Sequence, residues 1–178
     1  MNKFNVVEKI SSVAMHISNC LDDPQNIVSI LKSKVWEDDP DPVAVGPLCF
    51  LHHSEPGYRE IDEAMMHAAN IFLSSTDRDI SDYKKTDDFY RIATWKEGKS
   101  LYPHLDGNPG YDEELPQISL VMYLTDNYEG GILKLTQFEK EIRPKAGDIL
   151  VFNSRTYHEV SSHLGGERIT TRLFLYNK

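Results

Sequence analysis

The stretch Tyr102-Pro103-His104-Leu105-Asp106 decides how the rest of this sequence is interpreted. His104 and Asp106 are two positions apart, so on an extended strand both side chains leave the same face. A second histidine, His158, follows much later in the chain. Two histidines and one carboxylate on one side of a metal form the facial triad of non-haem iron(II), which leaves coordination positions open. We therefore expect His104, Asp106 and His158 to bind one metal ion.

An isolated His-x-Asp is a weak signal, and the alternative is a buried structural His104 that is hydrogen-bonded to Asp106. The last predicted strand favours the metal. Arg168, Thr170 and Arg172 alternate there and share one face. An arginine that points into an apolar barrel needs an anionic partner, because an unpaired buried charge is costly. Either a dicarboxylic co-substrate or a protein carboxylate such as Glu167 or Glu139 supplies one.

Length and composition indicate one domain. The chain has 178 residues, 40% of them hydrophobic and 26% charged, which is ordinary for a globular protein. No apolar run approaches the ~20 residues that a membrane span needs, and Met1–Asn5 lacks the apolar core of a signal peptide. Cys20 and Cys49 do not make a disulfide framework. We therefore expect a cytoplasmic protein that does not enter a membrane.

The formal net charge is −9 and the pI is near 5.2. This field repels a phosphate backbone, so nucleic-acid binding is disfavoured unless a local basic groove exists. A neutral or basic protein or peptide partner fits better. The alternative is that the acidic residues only keep the protein in solution.

The first 88 residues are predicted to support the rest. Ser12–Ser18 is predicted to be a strand. Asp23 and Pro24 predict a helix N-terminus, with Asp as N-cap and Pro at the first helical position. This helix should end before Trp36, because residues 37–42 form an acidic loop with two prolines.

Further along, Val43–Phe50 is either a short edge strand or a packed loop. His52-His53 resembles a metal pair, but neighbouring strand residues point to opposite faces, so an exposed turn is the better interpretation. Glu60–Leu73 carries a helical apolar stripe, with His67 at its surface. Ser74–Asp88 has no apolar period and is predicted to be a mobile loop, either a substrate lid or a plain solvated connection.

From Phe89 onward the pattern changes to short strands separated by turns such as Gly107-Asn108-Pro109-Gly110. The predicted strands are Phe89–Trp95, Ser100–Asp106, Gln117–Leu124, Ile132–Gln137, Glu141–Pro144, Ile149–Phe152, Tyr157–Ser161 and Ile169–Tyr176. This pattern predicts an α+β fold in which N-terminal helices pack on one face of a double-stranded β-helix, a cupin-like jelly roll. Residues 1–178 then form a single domain, with 1–88 as helical support and variable loop and 89–178 as the jelly-roll core.

From about Phe89 to Tyr176 the sequence resembles the iron(II)- and 2-oxoglutarate-dependent dioxygenases of the prolyl 4-hydroxylase type. It is especially similar to the oxygen-sensing enzymes around Gly130-Gly-Ile-Leu and His158-Glu-Val, and also to bacterial and viral ones. The matching stretches, in the family's order, are Tyr102–Asp106, Val121–Asp126, Gly130–Leu135, Ile142–Phe152, Tyr157–Val160 and Gly166–Thr170.

The resemblance implies that His104, Asp106 and His158 hold Fe(II). It places Arg168 on the distal carboxylate of 2-oxoglutarate, with Tyr123 hydrogen-bonded to the same carboxylate. Thr170 and Trp95 are further candidates for this cofactor pocket.

Two residues depart from the family pattern and need an explanation. Trp95 stands where many relatives have a tyrosine, and an indole offers only one N–H donor. Arg168, where the collagen-type enzymes have lysine, follows the pattern of the oxygen-sensing and bacterial enzymes. Arg172 on the same face leaves open which arginine holds 2-oxoglutarate.

The resemblance implies hydroxylation of an unactivated C–H bond with Fe(II), 2-oxoglutarate and O2, with release of succinate and CO2 and with ascorbate as a candidate reductant. Asp106 favours hydroxylation, since related halogenases need that position free for a halide. The expected substrate is a proline in a protein or peptide. The alternatives are a free amino acid, a lysyl residue or another small molecule, or a non-catalytic cupin-like binding module.

Overall fold

The computed structural model describes residues 5–40, 44–107 and 114–178. The predicted turn residues Asn108-Pro109-Gly110 and the loop residues 41–43 lie outside these ranges. The described chain forms two α-helices, Pro24–Leu31 (α1) and Tyr58–Ser74 (α2). It also forms strands Asn5–Ser11 (β1), Ala14–Ser18 (β2), Leu48–His52 (β3), Tyr83–Lys84 (β4), Phe89–Thr94 (β5), Leu101–His104 (β6), Ile118–Tyr123 (β7), Tyr128–Gly130 (β8), Leu133–Leu135 (β9), Lys140–Ile142 (β10), Ile149–Asn153 (β11), His158–Val160 (β12), His163–Gly166 (β13) and Ile169–Asn177 (β14).

The strands form two facing sheets and a short ribbon. The major sheet has the order β1-β2-β11-β7-β14-β5-β3, and β4 pairs with β14 outside this order. The minor sheet has the order β10-β9-β12-β6, and β8 pairs with β13. All described pairs are antiparallel, and side chains of both sheets share one apolar cluster. The predicted α+β jelly roll is confirmed.

Strand alternation gives the major sheet two apolar faces. On one face, side chains such as Ile92, Leu120 and Val151 pack against both helices. On the other face, Tyr123 and Phe152 pack against minor-sheet residues. The first face is the main core, and the second is the floor of the space between the sheets.

The two helices follow the predicted signals. The Asp23 carboxylate accepts a hydrogen bond from the Asn26 N–H (3.0 Å), and Pro24 is the first residue of α1. Helix α2 begins after Gly57, whose φ of +87° favours glycine. Within the described ranges, neither helix has the length and apolarity needed to span a bilayer.

Several strands escaped sequence analysis. The predicted first strand is β2, but β1 was missed because two irregularities in its pairing with β2 break the alternation. The ribbon strands β8 and β13 were missed because they are short and contain glycines. Of the two interpretations of Val43–Phe50, the edge strand is confirmed as β3.

The segment predicted as a mobile loop, Ser74–Asp88, is tied down by hydrogen bonds. It contains a 3₁₀ turn and β4, and Lys178 N–H donates to the Asp82 carbonyl (3.0 Å). The Lys85 ammonium donates to the Tyr58 hydroxyl (2.9 Å) and to Asp62. The expected lack of structure is therefore wrong, because these contacts hold the segment against α2 and β14.

Candidate active site

His104 and His158 are brought together by the pairing of β6 with β12. The two residues are direct partners in the register, and their ring centroids lie 4.2 Å apart. The next pair is Val160 with Leu101, so one strand has an extra residue in this interval. Because of this irregularity, Leu101 and His104 both line the cavity between the sheets, and Tyr102 is exposed.

Asp106 does not lie on the strand where sequence analysis placed it, because β6 ends at His104. Its position is set by the opposite sheet. The Asp106 N–H donates to the carbonyl of Ser154 (3.1 Å), and the buried Ser154 hydroxyl is hydrogen-bonded to Ser119 of β7 (2.7 Å). A turn held by these bonds therefore presents the carboxylate to the histidines.

The three side chains have the arrangement of a metal site. One ligand atom from each of His104, Asp106 and His158 can be chosen so that all lie within 4.8 Å of one another. Among the described residues they form the one His/Cys/Asp/Glu group with this property. The exposed pair His52 and His53 is not part of this group.

Both imidazoles are oriented by backbone carbonyls. His104 Nδ1 lies 2.7 Å from the Tyr102 carbonyl, and His158 Nδ1 lies 3.0 Å from the Thr156 carbonyl. A carbonyl only accepts, so each Nδ1 carries the proton and each Nε2 lone pair is left for a metal. Burial lowers the pKa of His158, which the neighbouring Asp106 partly offsets, so this ring is neutral at neutral pH. The described contacts include no hydrogen bond between His104 and Asp106, which argues against the purely structural interpretation.

Arg168 lies in the same cavity, just before β14, and is 1% exposed. Its guanidinium stacks on the Trp95 ring at 3.8 Å from the centroid, with the Tyr128 and Tyr123 rings at 5.5 and 5.6 Å. Burial lowers its pKa, and the two tyrosines partly oppose this effect. The side chain nevertheless stays charged, as arginine does in proteins.

No protein carboxylate neutralises Arg168 within the described ranges. Arg168 makes no salt bridge there, and both Glu167 and Glu139 are exposed. Its Nε and Nη1 atoms and the Tyr123 hydroxyl are buried and have no hydrogen-bond partner. A buried cation beside unsatisfied donors is costly unless an anion binds there. The residues present therefore fit a carboxylate of 2-oxoglutarate in the Arg168 pocket and Fe(II) at the three ligands.

Gly131 makes room for this arginine, because a Cβ there would lie 2.7 Å from Arg168 Cδ and 2.8 Å from Nε. Gly130 has a different neighbour, since a Cβ there would lie 2.0 Å from the Ser162 carbonyl oxygen. Both glycines also have positive φ angles. Gly131 thus lets the chain pass close to the Arg168 side chain, and Gly130 lets β8 approach the chain at the start of β13.

The structure explains the departure at Trp95. The indole N–H donates to the Thr170 hydroxyl (3.2 Å), so it is not available to a ligand. The Trp95 ring instead stacks against the Arg168 guanidinium. Tyr123 is held by backbone bonds with the turn before β11, from its N–H to the Asp148 carbonyl (3.0 Å) and from the Gly147 N–H to its own carbonyl (2.7 Å).

The cavity between the sheets has a volume of about 170 Å³, and both the metal-ligand group and the Arg168 pocket line it. Arg172 also lines it, but its side chain is exposed at the rim. A larger and more open depression of about 550 Å³ lies between α1 and α2. It contains Asp22, Asp23, Glu60 and His67, but these residues do not form a metal-ligand group.

Some residues that shape the site give no clear signal in the sequence. Tyr128 completes the aromatic cage, but it lies in a predicted turn and gives no signal by itself. Ser154 positions Asp106 through its carbonyl, which any residue type would provide. The Gly130-Gly131 pair was noticed only as part of a resemblance, although two successive glycines could have suggested a close approach of backbone to side chain.

The comparisons with known proteins agree with this geometry. Residues 89–176 match the family model described as the 2OG-Fe(II) oxygenase superfamily. No curated protein sequence matches the chain.

Similar solved structures include a viral collagen prolyl hydroxylase from Paramecium Bursaria Chlorella virus-1, with 18% identity, 93% of this chain and 96% of that chain covered, and a TM-score of 0.68. Another is a prolyl-4-hydroxylase from Pseudomonas putida, with 17% identity, 93% and 92% covered, and a TM-score of 0.66. A third is a prolyl hydroxylase from Trichoplax adhaerens in complex with a hypoxia inducible factor peptide fragment, with 18% identity, 94% and 84% covered, and a TM-score of 0.69. At these identities the likeness supports the fold.

Proposed function

We propose that this protein hydroxylates proline residues of a protein or peptide. Through residues 89–176, the chain belongs to the 2OG-Fe(II) oxygenase superfamily. The class of enzyme, a 2-oxoglutarate-dependent dioxygenase that needs Fe(II), 2-oxoglutarate and O2, follows from the family. The proline substrate is supported by structural neighbours named as prolyl hydroxylases, one of them bound to a peptide.

The observation that carries this function is the unpaired Arg168 in the cavity of the metal-ligand group. A metal site alone fits many proteins, including a binding module of the cupin type. A buried guanidinium without a protein carboxylate in the same cavity adds a specific requirement for an anionic ligand. Together these two features fit an enzyme that binds Fe(II) and 2-oxoglutarate side by side.

We assign roles to the residues as follows. His104, Asp106 and His158 hold Fe(II) through Nε2, a carboxylate oxygen and Nε2. Arg168 binds the distal carboxylate of 2-oxoglutarate, and the Tyr123 hydroxyl donates a hydrogen bond to it. Trp95 and Thr170 support this pocket, since their hydrogen bond links β14 to the residue after β5.

Bound Fe(II) supplies the oxidative chemistry, in which one atom of O2 enters succinate, CO2 is released, and the other atom is inserted into a C–H bond of the substrate. The protein's contribution is to position the reactants and to exclude water. The apolar side chains of Leu101, Val121, Leu133 and Val160, which line the cavity around the polar groups, fit the exclusion of water.

Strand pairing between the two parts of the chain supports one functional unit. Strands β1, β2 and β3 from the first 88 residues are hydrogen-bonded into the same sheet as β7 and β14. We propose that residues 1–178 act as one domain. Cytoplasmic location and the use of ascorbate stay predictions.

The test is anaerobic reconstitution with Fe(II) and 2-oxoglutarate, followed by O2, with and without proline-containing peptides. We expect a weak visible charge-transfer absorption before O2 and a peptide that gains one oxygen atom afterwards. Succinate formation with no oxygen gained by any peptide, but with oxygen gained by a free amino acid, a lysyl peptide or another small molecule, would move the function to that alternative. No absorption and no succinate would leave a binding module.

A further inference from the structure

Arg172 is a charged residue at the cavity that the roles above leave unused. It lies on β14, four positions after Arg168 and on the same face, but at the rim and exposed. Its guanidinium stands 5.1 Å from the centroid of the Phe174 ring. It forms no salt bridge with any residue that the structure describes.

A second arginine lies beside it on the neighbouring strand. Strand β14 pairs with β5 up to Thr171 opposite Ile92, and continuing this register by one residue brings Arg172 opposite Arg91. Both arginine side chains line the same cavity, and the charge of Arg172 adds to the effect of burial in lowering the pKa of Arg91. Like charges directly opposite each other on a sheet are destabilising.

The two arginines differ in their partners. Arg91 forms a salt bridge with Asp39, a carboxylate that also lines the cavity. Asp87 lines the adjoining depression together with both arginines, but no described salt bridge joins Asp87 to Arg172. Among the described residues Arg172 therefore has no salt-bridge partner, and a carboxylate on a bound ligand can supply one.

The depression beyond the two arginines forms an aromatic groove of about 230 Å³. Phe50, Phe89 and Phe174 line it, together with Asp87. Phe50 and Phe89 pack edge to face, with ring centroids 5.3 Å apart. Arg91, Arg172 and Phe174 line both this groove and the cavity of the metal-ligand group, so the two spaces adjoin.

We propose that Arg172, assisted by Arg91, binds the side-chain carboxylate of an Asp or Glu that neighbours the hydroxylated proline. The aromatic groove then holds the adjoining apolar part of the same peptide. This inference rests on the proposed function, because it names the class of peptide that the enzyme accepts. It reverses the expectation from net charge alone, which favours a neutral or basic partner.

The experiment compares proline peptides that differ only at positions flanking the proline, where Glu is replaced by Gln or Lys. Mass spectrometry of the oxygen gained gives kcat/KM for each peptide. We expect the wild-type enzyme to prefer Glu over Gln by about tenfold, the scale of one charge-assisted hydrogen bond between arginine and carboxylate. In Arg172→Gln this ratio should fall toward one, Arg172→Lys should keep part of it, and Arg172→Glu should prefer the Lys peptide.

Arg59→Gln is the matched control, because it removes one positive charge from an exposed position on α2. Its Glu-to-Gln ratio should equal that of the wild type. Equal rates for Glu and Gln peptides in the wild type would overturn the inference and leave the proposed function intact. So would an Arg172→Gln enzyme that keeps the Glu preference but requires more 2-oxoglutarate, since Arg172 would then hold the co-substrate. A wild-type enzyme that hydroxylates no peptide but acts on free proline would overturn both proposals.

Discussion

At the scale of single residues, the site combines side chains whose burial costs folding free energy when no ligand is bound. Arg168 is buried with two unsatisfied guanidinium atoms, and the Tyr123 hydroxyl beside it also lacks a partner. Each of these groups has lost its water without gaining a protein partner, which destabilises the ligand-free fold. The same groups then favour a carboxylate, because these protein groups are already buried and only the ligand has to lose its water on binding.

We predict that Arg168→Met keeps or raises the melting temperature of the protein without 2-oxoglutarate. Methionine fills similar space without a buried charge, so the free-energy cost of burying an unpaired guanidinium disappears. The rise in melting temperature on adding 2-oxoglutarate to the wild type, expected from preferential binding to the folded state, should be lost. Differential scanning fluorimetry with a non-oxidisable divalent metal measures both effects. A variant that is still stabilised by 2-oxoglutarate would show that another residue, with Arg172 the first candidate, binds it.

We predict that Gly131→Ala weakens 2-oxoglutarate binding by at least about tenfold, because overpacking at a positive-φ position costs roughly 1–3 kcal/mol and here displaces Arg168 itself. The added Cβ would lie 2.8 Å from Arg168 Nε. Gly98→Ala is the matched control, since Gly98 also has a positive φ of +81° but no atom lies within 4 Å of its added Cβ. The control should lose some stability and bind 2-oxoglutarate normally. Equal losses of binding in both variants would contradict a direct effect on Arg168.

At the scale of secondary-structure elements, the metal-ligand group joins parts that no single element contains. His104 is on β6, His158 is on β12, and Asp106 follows β6 in a turn that is bound to the Ser154 carbonyl after β11. An irregularity in the pairing of β6 and β12 aims His104 into the cavity. Because β6 is an edge strand, a metal bound here would tie the edge of the minor sheet to its neighbour.

We predict that Mn(II) or anaerobic Fe(II) raises the melting temperature, that a chelator reverses the effect, and that His104→Ala and His158→Ala abolish it. Removing one of three protein ligands lowers metal affinity strongly, since the remaining two cannot enclose the ion. His53→Ala is the control, because His53 is exposed and lies outside the metal-ligand group. If His53→Ala lost the stabilisation and His158→Ala kept it, the assignment of the ligands would be wrong.

At the scale of the whole molecule, the N-terminal half completes the fold of the C-terminal half. More than half of the buried residues in the main core come from before Phe89, including most of the buried faces of α1 and α2. Strand β2 covers the edge of β11, and β3 covers the edge of β5. Without these elements, the matching family segment 89–176 would expose one apolar sheet face and two unpaired edges.

We therefore predict that residues 89–178 alone do not form a stable monomer, whereas residues 1–178 do. Size-exclusion chromatography and circular dichroism of the two proteins, prepared in the same way, test this prediction. The fragment should be aggregated or lack a cooperative thermal transition. A soluble fragment with a cooperative transition and metal binding would contradict the single-domain interpretation.

The sequence by itself determined the elements and the chemistry that local patterns encode. The Asp23 cap and the apolar stripes predicted both helices, since helix signals are contained in a few neighbouring residues. The facial-triad chemistry predicted which three residues meet, and an arginine that points into the barrel predicted an anionic partner, either a co-substrate or a protein carboxylate, because these are properties of side chains.

Only the tertiary structure decided how those side chains are held and used. Trp95 stacks against Arg168 and does not donate a hydrogen bond to a ligand. Tyr128, which lies in a predicted turn, also packs against Arg168. Arg172 lies at the rim of the cavity beside Arg91. Ser74–Asp88 became an anchored segment through Lys85. The physical reason is the same for these four features. Each depends on contacts between residues far apart in the chain, and local propensity does not specify which distant strands will pair.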